Sequence, residues 1–218
     1  MSTDLQLAVL PVRNHAPGLT LTQGENGGFS HMGSLAIDFA YAQNNVPVYA
    51  PCDCRCVFSQ QSIWATVWTS INPVKFANGQ TGVISFMFVH DDFSVYPNVG
   101  DTRRKGDIIS YTGVGGEATG DHTHIEVTAV PIEAGTYTMT QNSQGVWVIN
   151  NPTNLWRVFS VCDNVSHTAI SIINGNQYPW ICILEWDDGD EWDGGNPGEP
   201  DHGGLSSYII MKLVNVLP

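Results

Sequence analysis

No stretch of this chain holds a helical hydrophobic period over roughly ten residues or more. Short β-branched and aromatic runs take its place: "VPVYAPCDCRCVF", "SIWATVW", "TGVISFMFVH", "DIISYTG", "HTHIEVTAV" and "GVWVIN", punctuated by Gly, Pro, Asn and Asp. A short strand buries a face only by pairing with others, so the sequence predicts an all-β fold: an antiparallel sheet, sandwich or barrel with long loops. The 218 residues suffice for one domain with a core.

A boundary is expected near residue 160, dividing a domain over residues 1–160 from a C-terminal extension over 161–218. The extension carries one more strand-like run, "HTAISIINGNQYPWICILEW", then a Gly/Pro-rich acidic stretch over 185–204, then the apolar "LSSYIIMKLVNVLP". Of the net charge of −13, eight acids fall between Glu185 and Asp201 with no base among them. The spacing there does not fit a D-x-[DN]-x-[DN]-G calcium loop, and a solvated linker is the plainer reading.

So acidic a chain repels phosphate backbones, which argues against nucleic acid as a partner. No apolar run reaches the length of a membrane span. "MSTDLQLAVLPVRNHAPG" shows no basic segment followed by an apolar one, so no secretory signal is expected. The five cysteines, an odd number, point to free thiols in a chain made in a reducing compartment. "CDCRC" lacks the C-x₂₋₄-C spacing of structural zinc sites; on a strand, its alternate thiols act as small hydrophobes.

Four of the seven histidines stand where one site could use them. His31 precedes Asp38 by seven positions, His90 ends "VISFMFVH", and His122 and His124 lie two apart in "GDHTHIEV". On a strand, residues i and i+2 point the same way, so the last two imidazoles are expected side by side. Zn²⁺ takes imidazole nitrogen and carboxylate oxygen, and three protein ligands leave one position open. His15, His167 and His202 have no motif around them and read as surface residues. The glycines at 27–28 and 113–116 shape loops beside a groove or serve as ordinary turns. Tyr111, Trp64 and Trp68 are groove candidates, with core packing the plainer assignment.

The order and context of these motifs resemble the lysostaphin-type zinc endopeptidases. "HMGSLAIDFAYAQNNVPVYAPCDCRCVF", "VISFMFVHDD" and "VGDTRRKGDIISYTGVGGEATGDHTHIEV" match the family's "HxGxxxDfa…gtPVyAp.dG.V", strand-end His and "G..VkkGq.Ig.tG.tG.stGpHlHfEv" over roughly residues 20–160. The first motif departs in spacing, seven rather than four, and "CDCRC" replaces a small polar turn. The resemblance implies a lysostaphin-type fold with a substrate groove. It implies zinc held by His31, Asp38 and His124, with His122 and His90 as the catalytic pair. Glu126 is then either a partner that orients a ligand histidine or an unrelated charge.

The resemblance further implies a zinc metalloendopeptidase acting on peptide stems or cross-bridges of bacterial peptidoglycan. With no leader, such an enzyme is expected to be phage-borne, made in the host cytoplasm and carried on the virion tail. The acidic arm is then a candidate for docking onto other phage tail proteins. The competing reading is a non-catalytic structural tail-tip or adhesion protein on the same scaffold.

Overall fold

The computed structural model describes residues 5–13 and 19–160, together with the backbone of two further strands, Ala169–Ile173 and Asn176–Trp180. Seven strands form one antiparallel sheet, in the order Thr20–Gln23, Ile37–Ala40, Thr123–Thr128, Ser85–Val89, Ala65–Ser70, Cys54–Gln60 and Thr102–Arg103. The only α-helix among the described residues is the single turn Leu155–Val158. The all-β expectation therefore holds.

Register decides which face each side chain occupies. His124 stands opposite Asp38 on one side and Val89 on the other; Ile125 stands opposite Ile37 and Phe88. Side chains of successive residues alternate between faces, so Ile125 and Val127 join Ile37, Phe39, Phe86, Phe88 and Trp68 in the larger core. The ribbon pairing Pro47–Tyr49 with Ile108–Tyr111 adds Val48 and Ile109 to that core, and the helical turn adds Leu155 and Val158. The opposite face carries His124 and Glu126, with Val67, Met87, Val89 and Ile149 in a smaller cluster.

Cys52, Cys54 and Cys56 are free and buried in the larger core, and burial pushes all three thiols up. They pack as small hydrophobes. Trp68 is a core residue. Two sheet strands, Thr20–Gln23 and Ile37–Ala40, lie outside the runs whose pattern reads as strand. The run "HTAISIINGNQYPWICILEW" contains the antiparallel pair Ala169–Ile173 and Asn176–Trp180. The acidic stretch, His15, His167 and His202, and the expected boundary after residue 160, lie outside the described residues.

Candidate metal centre

Strand pairing sets Asp38 directly across from His124, and the loop before Ile37–Ala40 folds back to bring His31 over both. His31 Nε2 lies 3.2 Å from Asp38 Oδ1 and 3.2 Å from His124 Nδ1, and His124 Nδ1 lies 3.0 Å from the same Asp38 oxygen. All three residues are buried.

The outer edges of the two rings are spoken for. His31 Nδ1–H donates to the Gly24 carbonyl at 3.0 Å, which turns its Nε2 lone pair inward. His124 Nε2–H donates to Glu126 Oε1 at 3.1 Å. Glu126 is fully buried; its other oxygen accepts the Ile149 N–H at 3.1 Å, and Ser34 Oγ donates to Oε1 at 3.4 Å.

This donor set fits a zinc ion. Ligands at about 2.0–2.1 Å from a tetrahedral metal stand about 3.3 Å apart, close to the 3.0–3.2 Å triangle here. The electrostatics agree. Burial alone would push Asp38 up, but bonds from His124 and His31 outweigh it and hold the carboxyl well below its usual range. Burial alone would pull His124 down, yet Asp38 and Glu126 raise it to about 10. The cluster thus demands a positive charge at its centre, which a proton or a divalent cation satisfies.

His90 and His122 stand beside the triangle, their ring centroids 4.7 Å apart; His90 lies 6.0 Å from the His124 ring. His122 sits just before the strand, bridged to Gly113, rather than within it. Its Nδ1–H donates to the Gly120 carbonyl at 2.8 Å, and its Nε2 is 3.9 Å from Asp38 Oδ2. His90 Nδ1–H donates to the Gly115 carbonyl at 2.6 Å. Burial, with the His124 charge second, pulls His90 down to about 4. At neutral pH, His90 therefore presents an Nε2 lone pair.

All four rings border or underlie one groove of about 940 Å³, which Asp38, His90, His122 and His124 line directly. Its lining includes Phe29 and Trp147, exposed by 75% and 37%, and the acidic Glu117 and Asp121. The hairpin Thr140–Gln141/Trp147–Val148 pins the His31 loop. Gln144 Oε1 accepts the Met32 N–H at 2.9 Å, Gln144 Nε2 donates to the Phe29 carbonyl at 3.1 Å, and Asn142 Nδ2 donates to the Ser30 carbonyl at 3.0 Å. Behind His90, fully buried Asp91 accepts a hydrogen bond from Ser110, and burial pushes it up to about 8.

The sequence-selected residues thus come together: His31, Asp38 and His124 as a triangle, His90 and His122 beside it, and Glu126 behind His124. Tyr111, Trp64 and Trp68 do not line the groove. Sequence reasoning marks the 113–116 glycines as loop-shaping but misses that the Gly115 carbonyl aims His90; it misses Gly24 and Gly120, whose carbonyls aim His31 and His122, and Ser34, Asn142 and Gln144 altogether.

No family model matches the chain. It is 34% identical over 216 residues to Morphogenesis protein 1 of Bacillus phage B103, an alignment covering 99% of this chain and 55% of that protein. The chain therefore spans about half the length of this curated relative. Among solved structures, it is similar to the catalytic domain of the prophage-encoded M23 protein EnpA from Enterococcus faecalis. That match has 19% identity, covers 60% of this chain and 98% of the other, and has a TM-score of 0.41. The lysostaphin catalytic domain from Staphylococcus simulans matches at 21% identity, over 54% of this chain and 84% of the other, with a TM-score of 0.38. A zinc-containing peptidase from Vibrio cholerae matches at 21% identity, over 62% and 40%, with a TM-score of 0.41. The chain is similar to lysostaphin-type zinc peptidases. Among the described residues, no helix is long and apolar enough to cross a membrane.

Proposed function

We propose that this chain is a zinc-dependent endopeptidase that hydrolyses peptide stems or cross-bridges of bacterial peptidoglycan, carried by a phage for cell-wall penetration. The observation that carries the reading is the buried His31–Asp38–His124 triangle in the floor of a groove, with two further imidazoles beside it. His31, Asp38 and His124 hold the metal, and Glu126 fixes the orientation of His124. Zinc bound there would polarise a scissile carbonyl and make a water molecule acidic enough to lose its proton near neutral pH.

The proton belongs to the histidines. In both rings the Nδ1–H is committed to a glycine carbonyl, so each neutral imidazole accepts at Nε2. His122 takes a proton from the attacking water as the carbonyl carbon gains its new C–O bond, and returns it to the leaving amine as the C–N bond breaks. With Nδ1–H engaged, His90 offers an N–H to the developing oxyanion only after it has gained a proton. That proton is not the one His122 carries: His90 takes up a second proton from solvent as negative charge builds on the carbonyl oxygen, donates its Nε2–H to the oxyanion, and releases the proton as the oxyanion collapses.

Mass spectrometry of muropeptides released from defined peptidoglycans tests this reading. Newly released amine and carboxylate ends, dependent on added zinc and lost in His122→Ala, are expected; intact walls after treatment with zinc-loaded protein would sink it. The B103 relative is named a morphogenesis protein, and the second reading is a non-catalytic structural tail-tip or adhesion protein on the same scaffold. That reading predicts wall binding without turnover.

A further inference from the structure

His90 occupies an uncommon backbone state. Its φ is 72°, in the left-handed region that a non-glycine residue enters only when its surroundings dictate it. Two peptide units dictate it here. The His90 N–H donates to the Trp64 carbonyl at 3.1 Å, and Trp64 is itself left-handed, with φ 53°. The His90 carbonyl accepts the Gly115 N–H at 3.0 Å, while the Gly115 carbonyl accepts the His90 Nδ1–H at 2.6 Å. One residue, Gly115, thus grips His90 at both its backbone and its ring.

The position of Gly115 depends in turn on Trp64. A Cβ at Gly115 would lie 2.3 Å from Trp64 Cδ2 and 2.5 Å from Cγ, so the glycine rests directly on the indole. Gly113 is equally tight against the same segment: a Cβ there would lie 2.5 Å from the His90 carbonyl oxygen. No side chain fits between the loop and the wall it leans on.

We propose that Trp64 is a positioning residue for His90. Its indole sets the height of the Gly115 peptide, and the Gly115 carbonyl then fixes the Nδ1–H tautomer and aims Nε2 into the groove. The kinetic part of this inference rests on the peptidase reading; the tautomer part does not.

Long-range ¹H–¹⁵N correlation of the imidazoles in the full chain reads the tautomer directly. His90 is expected to be the Nδ1–H form in the wild type and in Trp64→Phe, and a mixture in Gly115→Ala. On a soluble peptide substrate, Gly115→Ala should lower kcat by roughly 10–100-fold, as displacement of a catalytic group by about 1 Å does, with KM and zinc content unchanged. Trp64→Phe should keep most of the activity. Trp64→Ala should likewise give a tautomer mixture and a lowered kcat, because nothing then sets the height of the Gly115 peptide.

An Nε2–H tautomer for His90 in the wild type overturns the proposal, even if no variant folds. So does a Gly115→Ala or a Trp64→Ala protein that folds with unchanged tautomer and kcat. A wild type with the expected tautomer that cleaves no peptide leaves the clasp standing and removes the peptidase reading instead.

Discussion

His31 Nε2 and His124 Nδ1 face each other at 3.2 Å with the same Asp38 oxygen within 3.2 Å of both. Three electron-rich atoms at that spacing repel one another unless positive charge sits among them. Purified protein should therefore hold about one zinc per chain. His124→Ala should lose it, because one lone pair and the bonded link to Glu126 go together. Full zinc occupancy in that variant, measured by elemental analysis, would show that the ligand set is wrong.

Glu126→Gln probes the outer partner. The amide retains an acceptor for the Ile149 N–H but gives up the charge that orients and polarises His124. Loss of such a partner typically costs 10–100-fold in metal affinity. Chelator competition should show a weakening of roughly that size with the fold intact by circular dichroism. Unaltered affinity would demote Glu126 to a buried structural charge.

Much of this centre is legible in the sequence, and the reasons differ residue by residue. His90 and His124 stand out because each ends or interrupts a strongly β-patterned run. Asp38 is visible through its motif, not its strand. Three of the four residues of Ile37–Ala40 are buried consecutively, so the segment shows no period-two alternation to read. Gly24, Gly115 and Gly120 act through backbone carbonyls, which carry no residue-type signature. The clasp on His90 joins positions 25 apart and needs the fold to be seen. Trp64, a candidate for groove or core by composition, is neither: it is the wall behind a loop.

Gln144 and Asn142 form three bonds at 3.1 Å or less to the backbone on either side of His31, from a hairpin more than a hundred residues away. A neutral hydrogen bond is worth about 1 kcal/mol net, less at the surface. Gln144→Ala should therefore raise amide exchange across residues 28–32 by roughly tenfold and speed zinc release to a chelator. Exchange rates identical to wild type would mean that the loop is held from within.

Asp91 predicts a pH dependence of stability. Its folded pKa of about 8, raised chiefly by burial, lies above the ordinary carboxylate value near 4. Between those values the folded chain holds a proton that the unfolded chain has released. The stability from this group is thus fully present below about pH 4 and is lost as pH rises toward 8. Asp91→Asn, which cannot ionise, should flatten that decline. Thermal midpoints of the two proteins across pH 5–9 should diverge in favour of the variant as pH rises. Parallel curves would show that Asp91 is ionised at neutral pH.

The joint service of His90 and His122 in one step makes the sharpest kinetic prediction. The two rings lie 4.7 Å apart with Nδ1–H engaged and border the same groove, but neither belongs to the ligand triangle. His90→Ala and His122→Ala should each retain zinc while lowering kcat, His122→Ala by roughly 10²–10⁴-fold as for a lost general base. If base and oxyanion donor serve one transition state, removing either disables the same step. The double variant should then be little worse than the poorer single one, as groups acting as a unit behave. Independent roles predict instead that the two factors multiply. Single-turnover rates on a soluble peptide separate these outcomes, and zinc content measured on the same samples keeps metal loss from mimicking either. A multiplicative double variant, or a His122→Ala enzyme with undiminished kcat, would refute this joint role.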